Sequence, residues 1–218
     1  MATSEVILPI FPLQVVLFPF SLLPLQVFEE RYKQMLHDCL LADSRFGVAL
    51  IKEGAEVGEP AVPHGTGTIA RIRRVTPMDE GRLGVLAMGE RRFEIQEIVQ
   101  WKPYEKARIR VIEEEAGDPP PTQQEIEAVR EKAGPFLRSI LGLRGGWTRT
   151  VVAPSGPIDL SFFIASVIRS DATVRQRILE APTAKKRLAM LGSILEEDLQ
   201  ANLGVIRDRF LLKGVRLN

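Results

Sequence analysis

Residues 8–36 read LPIFPLQVVLFPFSLLPLQVFEERYKQML, an almost unbroken apolar run punctuated by Pro9, Pro12, Pro19 and Pro24. A membrane-spanning helix needs roughly 20 apolar residues with few breaks, so this run does not fit one. Proline also lacks a backbone donor, which argues against a regular central strand. The pattern therefore predicts short extended segments joined by sharp bends. A helix follows from Glu29 to about Leu41, where Tyr32, Met35, Leu36, Cys39 and Leu40 share one apolar face.

Beyond that helix the period changes to two. The runs 46–51, 66–75, 82–89, 92–99 and 105–114 are short and rich in Val, Ile and Leu. In the last of them Ala107, Ile109 and Val111 alternate with Arg108 and Arg110. In the second, Ile69, Arg71 and Arg73 are expected on one face, with Ala70, Ile72 and Arg74 on the other. Turn signals separate the runs at 60–67, at 77–81 and at Lys102-Pro103, and 78–81 reads as a hairpin loop. Evenly spaced short strands with glycine-bearing turns suggest a small antiparallel barrel or sandwich.

At Gly117-Asp118-Pro119-Pro120-Pro121 the composition turns acidic and proline-rich, which reads as a linker. Thr122 with Glu125 three residues on forms a capping-box pattern. Ile126, Val129, Ala133, Phe136, Leu137, Ile140 and Leu141 follow at helical spacing, with Gly134-Pro135 expected to kink or split the element. A Gly/Pro-rich loop spans 144–157. A helix is expected from 158 or 159 to about 169, a second capped by Ser170 or Asp171, and a last one capped by Thr183. That last helix carries a long stripe including Leu188, Leu191, Leu195, Leu199, Leu203 and Ile206. The pattern thus divides the chain into a strand-rich part over 1–117 and a helical part over 122–218.

Composition changes this picture little. The 218 residues are 45% hydrophobic and 26% charged, ordinary for a soluble globular protein, with a net charge of +1 that draws the chain to neither nucleic acid nor membrane. The single cysteine, Cys39, can form neither an intrachain disulfide nor a zinc site. The start MATSEVILPIF has no basic region leading into an apolar run and cleavage site. Together these predict a cytoplasmic protein.

The opening pattern is specific. Leu8–Leu13 gives Leu-Pro-apolar-apolar-Pro-Leu, Val16–Pro19 gives an apolar-Phe-Pro segment, and Leu23–Glu29 with Arg31-Tyr32 completes the series. Phe46-Gly47-Val48, the run 67–72, residues 89–93, and Ile178–Pro182 followed by Arg187-Leu188 add to it. In these motifs the chain resembles the Lon N-terminal (substrate-binding) domain family, in its stand-alone bacterial form. Two positions depart from the family's pattern. Phe20 stands where glycine often follows Phe-Pro, suggesting a different bend or one more apolar side chain near the surface. Glu30 stands where proline often follows Phe-Glu. The resemblance implies an α+β protein: a PUA-like antiparallel β-barrel subdomain followed by an all-helical bundle with a long C-terminal helix. It further implies a module that engages polypeptide substrates. The ATPase and peptidase modules of the full proteases have no counterpart here, and no G-x-x-x-x-G-K-[ST] loop occurs, so ATP-driven unfolding is not expected.

The residue types that carry chemistry give weak signals. Ser155, in Ala153-Pro154-Ser155-Gly156-Pro157, superficially suggests a nucleophile turn, with Lys185 or Lys186 as base. Such a dyad needs a desolvated amine within hydrogen-bond reach, and a loop serine with surface lysines does not supply it. His37 and Cys39 point to different helix faces and His64 lies in a turn, so no metal site is expected. No catalytic residue and no cofactor is assigned. Arg71, Arg73, Arg74, Arg91, Arg92, Arg108 and Arg110 could form a stripe for RNA, which PUA-like folds sometimes bind. Interleaved glutamates make cross-strand ion pairs the simpler reading. The favoured function is a non-enzymatic, substrate-recognising or adaptor-like protein that binds protein or unfolded polypeptide. Most of the leader is expected in the core. Phe18, Phe20 and Leu22, with Trp147 in its glycine-rich loop, are the candidate peptide-contacting residues.

Overall fold

The computed structural model describes residues 5–56, 58, 61–143 and 152–214. They fall into two compact units, one formed by residues up to Glu113 together with Arg175–Glu180, the other by Glu114–Val174 with the chain from Ala181 on.

The first unit holds a six-stranded sheet: β1 (Glu5–Leu13), β2 (Leu22–Val27), β3 (Arg45–Glu53), β4 (Val62–Pro77), β5 (Leu83–Gln100) and β6 (Lys106–Val111), with helix α1 (Glu30–Leu41) between β2 and β3. The spatial order is β2-β5-β4-β3-β1-β6, and β6 also pairs with β5, so five of the strands pair in a ring. The sheet is mixed, which corrects the expectation of a purely antiparallel one: β1 runs parallel to β3. Parallel neighbours need a crossover, and β2 with α1 supplies it.

The prolines are accommodated in a way the bare pattern excludes. β1 lies inside the pairing order despite Pro9 and Pro12. Its first half, Glu5 to Pro9, pairs with β6, and its second half, Ile10 to Leu13, pairs with β3. Each half has a partner on one side only, so each proline can turn its missing donor away from the ladder. Pro19 sits in a turn closed by the Ser21 amide on the Phe18 carbonyl (3.2 Å), with Phe20 at φ 65°. Proline second and a positive φ third is the layout of a type II turn, where glycine is the usual third residue. Phe20 thus takes a glycine's backbone conformation, so the departure from the family pattern leaves the bend in place and adds an apolar side chain at the surface.

Helix α1 buries Tyr32, Met35, Leu36 and Cys39, while Leu40, expected on the same face, is exposed. These side chains pack with Phe11, Phe46, Ile72 and Val85 of the sheet. Burial, and then Asp43 and Asp38, push the Cys39 thiol up to about 12, which makes it inert at neutral pH. A second cluster joins Leu8, Ile10, Phe93, Ala107 and Ile109. Phe20 N donates to the Gly89 carbonyl, and Gly89 N donates to the Ser21 carbonyl, so the turn is tied to β5. A Cβ at Gly89 would collide with the Phe18 carbonyl oxygen, so this position requires glycine.

Two strand expectations change. The runs 82–89 and 92–99 are one strand, β5, which passes through residues 90–91 with a register shift rather than a turn. Along β4 strict alternation fails. Ile72 and Val75 both face the core cluster, whereas Arg73 and Arg74 between them are both exposed. A second register shift, between Ile72 and Arg74, provides the extra residue. In β6 the expected alternation holds. Glu105, just before β6, is fully buried, and among the described residues neither carboxylate oxygen has a hydrogen-bond partner. Burial pushes its carboxyl above the usual carboxylate range, against the pull of its own backbone amide and then of Arg31.

The second unit contains α2 (Gln123–Leu143), α3 (Pro157–Val167) and α5 (Ala184–Gly214), with α5 packing on both others. The capping box forms as expected: Thr122 N donates to Glu125 Oε2 (2.6 Å) and Glu125 N to Thr122 Oγ1 (3.2 Å). α2 continues through Pro135 as one helix. α4 (Ala172–Glu180) is capped by Asp171, and Thr183 Oγ1 accepts from Lys186 N at the start of α5. The expected linker is not loose. Glu115 and Ala116 accept hydrogen bonds from the amides of Ala184 and Lys185. On α5 the stripe shifts past Leu195: Asn202 is buried and donates to Ser139 Oγ (2.9 Å), while Leu203 is exposed. Arg187, fully buried, holds the unit together. It donates to Ser161 Oγ (2.9 Å) and the Ala181 carbonyl (3.1 Å), pairs with Glu114 at 3.2 Å, and stacks on Phe162.

Candidate functional site

Among the described residues, β2 is the one strand outside the ring of pairings, and it borders β5 alone. Its sequence, LLPLQV, is apolar at nearly every position, so parity decides what faces outward. Leu23 and Leu25 pack on the core cluster, and Val27 lies within it. Leu22, Pro24 and Gln26 are exposed. The registers extend these positions across the neighbouring strands. Leu22 lies opposite Met88 and then Arg71, Pro24 opposite Leu86 and then Arg74, and Gln26 opposite Gly84 and then Thr76. The outer face of β2–β5–β4 is therefore an apolar strip with a basic side along β4.

An open groove of about 570 Å³ runs over this face, lined by residues 24–26 of β2, 84–86 of β5, Arg74, Thr76 and Met78. Gly84 leaves its floor low. A Cβ there would come to 3.1 Å from the Met78 sulfur, so any side chain would narrow the groove. Met78 itself is 39% exposed. Arg74 is the one charged residue in the lining.

The remaining sheet arginines are mostly neutralised. Arg110 pairs with Glu94 and Arg108 with Glu97, both directly across the β5–β6 ladder, and Arg91 pairs with Glu113. Arg71 and Arg45 converge on Glu90. Burial alone would raise the Glu90 carboxyl, but the two guanidiniums outweigh it and hold it below the usual range. Arg92 is buried and donates to the Leu179 carbonyl. Among the described residues, Arg73 and Arg74 have no acidic partner; Arg73 reaches only the Met88 sulfur, at 3.6 Å. The cross-strand ion pairs expected from the interleaved glutamates are present.

The candidate contact residues separate. Phe18 is fully buried, with the Arg175 guanidinium 5.2 Å above its ring, which corrects its assignment to an exposed surface: the turn directs it inward as core. Phe20 is 59% exposed and Leu22 60%, and both adjoin the strip described above. Trp147 lies outside the described residues. Pro24, Leu86, Met88 and Gly84 were not legible as site residues, because a run of uniform apolarity hides which parity turns outward. Of the other candidates, Ser155 makes no hydrogen bond to Lys185 or Lys186 among the described residues. Lys185 instead lies 3.8 Å from Glu125. His37 is exposed while Cys39 is buried, and no cluster of metal-ligating side chains occurs among the described residues. Nor does any described helix have the length and apolarity to cross a membrane.

Comparison with known proteins fits this architecture. The family model of the ATP-dependent protease La (LON) substrate-binding domain matches residues 7–197. The chain belongs to that family. It is 31% identical over 201 residues to the Lon protease of Syntrophomonas wolfei, and 26% identical over 200 residues to Lon protease 1 of Herpetosiphon aurantiacus. Each alignment covers 88% of this chain and 24% of the relative, so the chain spans about a quarter of the length of these curated relatives. Among solved structures, a Lon N-terminal domain protein from Xanthomonas campestris aligns with a TM-score of 0.63 at 24% identity, covering 85% of this chain and 96% of that one. The N-terminal domain of the Mycobacterium avium complex Lon protease gives 0.63 at 17% identity, covering 87% and 98%. These two likenesses are of fold.

Proposed function

We propose that this chain is a non-enzymatic polypeptide-binding module, substrate-recognising or adaptor-like, that works in the cytoplasm without ATP. The observation that carries the reading is the groove on the outer face of β2–β5–β4, set in a chain whose family is named for substrate binding. An apolar strip on a border strand suits an extended segment, because alternate side chains of such a segment can settle on it. Phe20 and Leu22 extend the strip at one end, and Trp147 is a further proposed contact. In this reading the ring of strands is the PUA-like barrel, the domain over 1–117 recognises the ligand, and the helical domain over 122–218 serves as scaffold. The RNA-binding alternative draws less support, since the β5–β6 arginines are engaged by glutamates.

Binding of a fluorescently labelled, permanently unfolded polypeptide, followed by anisotropy, tests the proposal when combined with hydrogen exchange. Protection on binding should concentrate in 22–27 and 84–88. Binding that protects only other segments, or no binding at millimolar protein, would remove the basis for this site.

A further inference from the structure

We infer that the groove selects extended segments in which an acidic residue lies two positions from an apolar one; this rests on the polypeptide-binding reading above. Two features of the groove lead to it. Its lining holds a single charge, the Arg74 guanidinium, and no acidic residue. Arg74 is exposed and has no ion-pair partner among the described residues, whereas Arg71 on the same strand is paired with Glu90. The register shift between Ile72 and Arg74 turns Arg73 to solvent beside it, so two cations stand together on the β4 side. The β2 side, opposite, is Leu22, Pro24 and the uncharged Gln26. The face is thus apolar at one border and cationic at the other.

Spacing turns this asymmetry into a sequence preference. The row Pro24–Leu86–Arg74 crosses from β2 to β4, two inter-strand steps of about 4.8 Å, or roughly 10 Å in all. From a point between Pro24 and Leu86 the distance to Arg74 is about 7 Å, which an extended chain covers in two residues at roughly 3.3 Å each, and residues two apart point to the same face. A segment lying across the groove would therefore set an apolar side chain over Pro24 and Leu86, and a carboxylate two residues on, on the same face, at Arg74. A basic side chain at that position would meet like charge, with no acidic group in the lining to receive it.

The test uses two labelled peptides with the same apolar residues, one carrying Glu and the other Lys two positions from the apolar anchor. Anisotropy titrations are run on the whole protein and on its Arg74→Gln variant. The substitution is at an exposed, unpaired position, and circular dichroism verifies folding. The acidic peptide should bind about two- to fivefold tighter than the basic one, the range of a solvent-exposed ion pair. The preference should shrink with added salt and collapse in Arg74→Gln. Equal binding of the two peptides, or a preference unchanged in the variant, overturns the charge selection while leaving polypeptide binding standing. Binding of neither peptide overturns both.

Discussion

Phe18 and Phe20 stand two residues apart in one turn, and the structure assigns them opposite energetics. Phe20→Gly removes a side chain that is 59% exposed. Full burial of a phenylalanine stabilises by about 1.5–3 kcal/mol, so the buried two-fifths represents roughly 1 kcal/mol. Glycine adds about 0.5–1 kcal/mol of unfolded-state entropy to be lost on folding. Against these losses, the φ of 65° costs a residue with a Cβ about 1–2 kcal/mol, and glycine relieves it. The net change should lie within about 1 kcal/mol of zero. Phe18→Ala empties a fully buried site beneath Arg175 and should cost about 3–5 kcal/mol. Urea unfolding followed by circular dichroism separates them. Phe20→Gly should leave the midpoint nearly in place, and Phe18→Ala should lower it by more than about 1 M. Anisotropy with the unfolded polypeptide should then show weakened binding in Phe20→Gly. Equal destabilisation by the two substitutions would refute the turn geometry, and unchanged binding in Phe20→Gly would refute its contact role.

Glu105→Gln should stabilise the protein at neutral pH. The folded state holds the Glu105 proton to higher pH than the unfolded chain does, so wild-type stability falls as pH rises above the ordinary glutamate pKa of about 4.3. The gain should vanish below about pH 4, where both states are protonated; a gain independent of pH in urea titrations would contradict this assignment. Arg187→Met should cost about 3–5 kcal/mol, because Glu114, Ser161 and the Ala181 carbonyl lose a shared buried partner, and a midpoint shift matching a surface substitution would count against that role. Gly89→Ala should destabilise by more than about 1 kcal/mol in the same assay, since its methyl meets backbone rather than a mobile side chain.

Features that depend on neighbours along the chain could be read from the residues alone. The Thr122–Glu125 box, the Asp171 and Thr183 caps, the α1 face apart from Leu40, and the alternation of β6 formed as their local spacing dictates, because helix ends and pleats are satisfied within a few residues. The motif order also fixed the family. Tertiary pairing decided the rest. Pro9 and Pro12 lie within a strand only because β6 and β3 each pair with one half of it, a division no local rule encodes. Arg73 and Arg74 share the solvent face because β5 opposes them with a register shift. Leu22 and Pro24 face outward, while Leu23 and Leu25 pack on the core, solely because β5 receives β2 in one register; a slip of a single residue would exchange the two sets. In a segment this uniformly apolar, either parity can be buried from the chain's own pattern, and the partner strand makes the choice.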